Sequence, residues 1–213
     1  MIALIAALSV VVLRSNRSTL DISEHLDDTA VEIDGEAVTF KVLGYYIMET
    51  EEYVDLLAQI YDATDTHAFW RIHTNGSYVI TQAKDSAMNT CIRDEVYALE
   101  AAEAGISLDA AETAEVATEA AETYEGLSYK QQKALEYNVE DLEDILTIVH
   151  LARKYANYVL EEVDLTGYNQ SPEVAVEVDG EYYEEVLATH EVEINTSLWK
   201  RVSLGGITIQ KVQ

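Results

Sequence analysis

The chain has 213 residues, 48% of them hydrophobic, with one proline and nine glycines. That is enough for one domain with a sizeable core, and too rich in regular-structure formers for a disordered protein. Forty Asp and Glu against thirteen Lys and Arg give a formal net charge of −27, which argues against nucleic acid as a partner, because phosphate binding rests on cations that displace counterions.

At the N-terminus, residues 2–13 (IALIAALSVVVL) are apolar apart from Ser9, and Arg14 and Arg17 follow. As a helix the run reaches about 18 Å, short of the ~30 Å hydrocarbon core of a bilayer. Residues 1–21 are therefore expected to be a truncated signal or membrane-anchor segment, with a core helix as the competing reading. Arg14 and Arg17 favour the cytoplasmic side, so the orientation stays open. Residues 18–30 are polar and acidic and read as a linker.

The segment 31–40 (VEIDGEAVTF) alternates and then turns at Asp34-Gly35, the pattern of a tight hairpin. Thr39 caps a predicted helix to about residue 61, with Leu43, Ile47, Val54, Leu57 and Ile60 near the core side. A loop holds Phe69-Trp70 and Asn75-Gly76. The next helix, 77–104, places Ile80, Ala83, Ala87, Cys91, Val96, Leu99 and Ala102 together and ends at Gly105. Ser107 is expected to cap a helix over 108–125 whose Glu112, Glu115, Glu119 and Glu122 share a wet face. Ala110, Ala114, Ala117, Ala121 and Tyr124 would then face a neighbour. Gly126 stops that helix, and Ser128 begins a short one to about 136. The longest helix, 139–163, carries Val139, Leu142, Ile145, Val149, Ala152, Ala156, Val159 and Val163 at intervals of three and four, over about 37 Å. Beyond Gly167 and Pro172 the period changes to two. Residues 174–187 alternate around a turn at Asp179-Gly180, and 190–204 and 206–212 alternate again, so 171–213 is expected to be a β-rich tail packed back on the helices.

Few residues suggest chemistry. Cys91 is the only cysteine, which rules out an intramolecular disulfide and, on an apolar stripe, reads as a buried thiol. His67 and His73 are six apart with no cysteine near, which is not a zinc spacing. The DGE triplets at 34–36 and 179–181 lack the further oxygen ligands of a calcium loop. No phosphate loop or nucleophile elbow is present, so no catalytic, cofactor-binding or metal residue is nominated. Between Arg93 and Lys130 lie only acidic charges, a face that is either simply solvated or attracts basic polypeptides. Three adjacent aromatic pairs, Tyr45-Tyr46, Phe69-Trp70 and Tyr182-Tyr183, are the candidate client contacts, since neighbours in an element point different ways.

In order, VEIDGEAVTFKVLGYYIME, AMNTCIRDEVYALEAAEAGISLDAAE and the helix headed by VEDLEDILTI resemble the opening hairpin and helices of the SurA/PrsA group of extracytoplasmic foldases. EVEIN followed by Trp199 is similar to the tail of some members. The likeness covers roughly 31–163, and 188–204 more loosely. It implies a mainly α, long-helix chaperone domain of the SurA N-terminal type over 22–170, with a small β element made by the N-terminal hairpin and C-terminal strands. The implied function is an extracytoplasmic chaperone, anchored to the membrane or secreted, that binds unfolded or secreted client proteins without cofactors. Only residues 164–189 separate the long helix from His190, and they contain no histidine. A parvulin-type isomerase domain has no room there. No cysteine precedes Cys91 to carry a PrsA-type lipid. Two other readings remain: an isomerase relative, and an anchored structural module with one fixed partner.

Overall fold

In the computed structural model residues 19–62 and 64–209 are described. They are mainly helical, with a small antiparallel sheet. The apolar run 2–13 and the last part of the 206–212 segment lie outside the described residues. No described helix is long and apolar enough to cross a membrane.

Strand β1 (Thr29–Ile33) and β2 (Glu36–Thr39) form the expected hairpin. Asp34 and Gly35 both take positive φ, 51° and 85°, the conformation of a turn whose twist matches the strands. Thr39 caps α1 (Phe40–Tyr61) by accepting from the Val42 N–H. A short α2 (Thr66–Phe69) leads to a two-residue ribbon, β3 (His73–Thr74) and β4 (Ser77–Tyr78), around Asn75-Gly76. Then come α3 (Val79–Glu103), α4 (Ala110–Gly126), α5 (Tyr129–Leu135) and α6 (Val139–Glu162). Gly105, at φ 70°, closes α3 while the Ile106 N–H reaches back to the Ala101 carbonyl, the left-handed cap expected of glycine there. Ser128 with Gln131 and Asn138 with Asp141 form capping boxes at the starts of α5 and α6.

Helix α6 packs along α3 on one side and α4 on the other, burying Leu142, Ile145, Ala152 and Val159 of its apolar stripe. Its N-terminal turn is tied to α1 by Asp141 and Lys41, 3.0 Å apart. The tail joins the same core: Trp199, Val202 and Leu204 are buried with Phe40, Leu43, Trp70 and Leu146.

Several expectations change. Residues 19–30 are not a linker: Leu20, Ile22, Leu26 and Ala30 are buried and Ile22–Glu24 is a 3-10 turn, because these apolar residues close the end of the core.

Helix α4 is capped by Asp109 with Glu112 in a capping box, not by Ser107. It also turns the other way. Val116 and Ala120 are buried while Ala110, Ala114 and Ala117 are exposed. Alanine carries too little area to orient a helix, whereas Val116 and the polar contacts made by Lys154 and His150 of α6 do. Glu112 meets Lys154 at 2.5 Å and Glu119 meets His150 at 2.8 Å.

Residues 174–187 form no strand. They give α7 (Pro172–Ala175) and α8 (Glu181–Leu187). Pro172 occupies the first turn, where it favours a helix, and Asp179 (φ 65°) reverses the chain. The β-rich tail therefore reduces to one strand, β5 (Val192–Ile194), antiparallel to β1 so that the sheet order is β2-β1-β5. After α9 (Thr196–Trp199), residues 203–209 are irregular.

Finally, some expected core residues are not buried: Ile60, Ala102 and Val163 are exposed and Leu57 is half-buried.

Gly180 explains the compact α7–α8 turn. A Cβ there would lie 2.3 Å from the Ala175 carbonyl oxygen and 2.4 Å from that of Val174. Gly180→Ala should cost about 1–3 kcal/mol, the range of core overpacking, read as a lower denaturant midpoint with an unchanged slope.

Candidate functional site

Helix α1 is apolar on two sides. Its inner side buries Leu43, Ile47, Val54 and Ala58. On its outer side Tyr53, Leu56 and Ile60, spaced three and four apart, form a second stripe that remains 62%, 55% and 75% exposed. Tyr61 adds to its end, also exposed, with its ring 5.5 Å from that of half-buried Phe69. Single exposed apolar residues need no explanation, but a row of large ones on one helix marks a contact surface.

The row is bounded by acid. Glu49 and Glu52 precede it, Asp55 and Gln59 hydrogen-bond along one edge at 2.9 Å, and Asp62 follows. Burial, then the charges of Glu52 and Glu119, hold the Glu49 carboxyl above its usual range. A carboxyl held up in this way gains from an incoming cation. Chemically, this surface can cover an extended apolar segment carrying basic side chains.

The six nominated aromatics do not gather into one surface. Tyr46, Trp70 and Tyr183 are buried and cannot meet a client, while Tyr45, Phe69 and Tyr182 are half-buried beside them. Tyr45 and Tyr46 stack edge-on at 5.6 Å within α1. The Tyr46 hydroxyl is buried without a hydrogen-bond partner among the described residues, and burial with the neighbouring Asp94 charge keeps it protonated. Tyr182 and Tyr183 belong to a separate cluster that fastens α8 to α3 and α6. Tyr183 meets Tyr97 at 5.6 Å, and the Tyr155 and Tyr182 hydroxyls are 3.1 Å apart. Among the described residues, the Phe69–Tyr61 ring contact links a nominated residue to the exposed row.

A second feature escaped sequence reading altogether. Glu51 lies on the inner side of α1 and is fully buried. Its carboxylate accepts five backbone N–H groups and one hydroxyl from the tail. Oε1 takes Gly205 (2.6 Å), Gly206 (2.9 Å) and Ile207 (3.0 Å), and Oε2 takes Thr208 N (2.6 Å), Thr208 Oγ1 (2.6 Å) and Ile209 (3.3 Å). Successive N–H groups make a concave nest whose summed partial charge favours a carboxylate. Lys84 of α3 donates to the carbonyls of Trp199 and, at 2.9 Å, Val202, while Lys130 of α5 donates to those of Gly206, at 2.6 Å, and Ile209.

Among the described residues no group of three or more His, Cys, Asp or Glu side chains is disposed to hold a metal ion. Cys91 is fully buried, and burial pushes its thiol well above the ordinary range. Comparison of the chain with protein-family models, with curated proteins and with solved structures finds no match.

Proposed function

We propose that this chain is the chaperone part of an extracytoplasmic folding factor of the SurA N-terminal type, holding unfolded or extended clients without catalysis. The observation that carries the reading is the exposed apolar row Tyr53–Leu56–Ile60 with its acidic border. Reversible cover of an apolar client segment lowers the free concentration of aggregation-prone chain and needs no cofactor. The order of hairpin, long helices and returning strand supports the family assignment, and the apolar run 2–13 supports a membrane-proximal location.

The test is suppression of aggregation of an unfolded basic client. Leu56→Asp/Ile60→Asp leaves the core untouched, so the melting temperature should hardly move. The amount of chain needed for half-suppression should rise on the order of tenfold or more, given about 1.5–3 kcal/mol for each buried Leu or Ile side chain. Suppression by the native chain should weaken as salt rises, because screening removes the acidic attraction. Undiminished suppression by the double variant moves the client surface elsewhere. Accelerated isomerisation of a prolyl peptide would make the chain an enzyme, and one tight partner with no suppression would make it a structural module.

A further inference from the structure

The tail is held in an unusual way. Residues 203–209 form neither helix nor strand, and among the described residues no backbone-to-backbone hydrogen bond joins them to the rest of the chain. Two helical side chains read their main chain instead: Glu51 takes five consecutive N–H groups and Lys130 takes the carbonyls of Gly206 and Ile209, while Lys84 holds the carbonyls of Trp199 and Val202 just ahead of them. The Thr208 hydroxyl is the one tail side chain that Glu51 bonds. Leu204 and Thr208 are buried and Ile207 and Ile209 half-buried in the groove. Gly205, at φ +86°, passes over Trp70 so closely that a Cβ would sit 3.0 Å from the indole. Beside the tail the groove stays open as a cavity of about 520 Å³ between the N-terminal turn, Arg71, Ile80 and residues 203–207.

We propose that this groove is a binding site for extended apolar peptide segments, read through their main chain, and that residues 203–209 are its resident occupant, giving way to a client segment of the same kind. The proposal rests on the chaperone reading above and names the segment that reading would hold: unstructured, with branched apolar side chains either side of a small-residue pair, as in SLGGITI. Main-chain N–H and C=O groups are common to every peptide, so the contacts of Glu51 and Lys130 tolerate many sequences, while the apolar slots and Trp70 select against charge and bulk. Because no ladder or helix has to be broken, the tail can leave without dismantling an element. While it is docked, it lowers the groove's apparent affinity by the fraction of time the groove is empty.

The experiment uses the full chain and a labelled peptide of residues 200–213 (KRVSLGGITIQKVQ), followed by fluorescence anisotropy. Gly205→Val loosens the tail from its own side and leaves every groove residue in place. Its amides at 205–209 should lose protection from hydrogen exchange, and the peptide should bind it at least about tenfold more tightly than the native chain, as expected if the tail fills the groove more than nine-tenths of the time. Adding Glu51→Gln should abolish that gain. Thr208→Pro, which deletes one N–H of the nest, is the second loosening variant. Free exchange at 205–209 with no gain in peptide binding overturns the proposal. So do amides that stay protected in both variants, or global unfolding of both, since the tail is then an integral part of the core. Aggregation suppression by the native chain is measured alongside. If it persists while the peptide fails, the groove falls and the chaperone reading stands; if it is absent while the peptide binds, the reverse holds.

Discussion

Glu51→Ala should lower the stability of the chain by about 3–5 kcal/mol, the range for removing one partner of a buried charged contact. Five N–H donors and the Thr208 hydroxyl lose their acceptor at once, the Gly205 and Thr208 donors in buried positions. Each buried donor left unpaired costs roughly 1–3 kcal/mol. The full sum is not reached, because the tail can lift and let water take the donors. For a domain of this size the loss corresponds to a fall in melting temperature on the order of 10 °C. Glu51→Gln should be little better: it keeps one oxygen but turns an NH2 group toward donors already crowded on that side. Glu115→Ala, on the exposed face of α4, should change stability by no more than about 0.5 kcal/mol. Scanning calorimetry of the three variants decides the matter. If Glu51→Ala melts with the native chain, the nest contributes nothing.

The contrast between Glu51 and the helices marks what a one-dimensional reading can reach. Periodicity and caps are local, so the hairpin at Asp34-Gly35, the Thr39 cap, the end of α3 at Gly105 and the α6 stripe up to Val159 are legible within a few residues. Glu51 is not local. Its partners lie 154 to 158 positions away and are backbone groups, which carry no residue signature. Segment 174–187 misled because alternation of Val and Glu is also compatible with two short helices once Pro172 starts one and Gly180 permits a close turn. The α4 face misled because alanine and glutamate define two stripes without saying which has the partner, and Lys154 and His150 on α6 decide it. Of the exposed row on α1 only Ile60 is singled out by the sequence pattern, and periodicity places it on the core side because it counts a single face. Among the aromatic pairs, alternate pointing of neighbours did separate one buried from one half-buried ring in each case. It could not say that Tyr182 would turn into the Tyr155 cluster rather than outward.

Glu95→Gln should stabilise the chain at pH 8 and do little at pH 5. Glu95 of α3 lines a cavity of about 500 Å³ with apolar walls at Val42, Ile145 and Ile148. The charges around it are Asp94 on its own helix, Lys41 of α1, already paired with Asp141, and Asp141 and Asp144 of α6. Burial first, and the Asp94 charge second, push the Glu95 carboxyl up from 4.5 to about 7. Below the ordinary value of 4.5 the group is protonated whether folded or unfolded, and it makes no pH-dependent contribution. As pH rises from there to about 7, the unfolded chain releases the proton and the folded chain retains it, so folding stability falls across this window and stays lowered above it. At about 1.4 kcal/mol per unit the raised value sets a ceiling near 3 kcal/mol, and the partial exposure of Glu95 brings the expected gain from the neutral amide to about 1–2 kcal/mol. Denaturant midpoints of native and variant chains at pH 5, 6, 7 and 8 measure it, and taking the difference at each pH removes the titration of every other carboxylate. The difference should open between pH 5 and pH 8. A gain or loss that is equal at all four values would place Glu95 in contact with water rather than in the cavity wall.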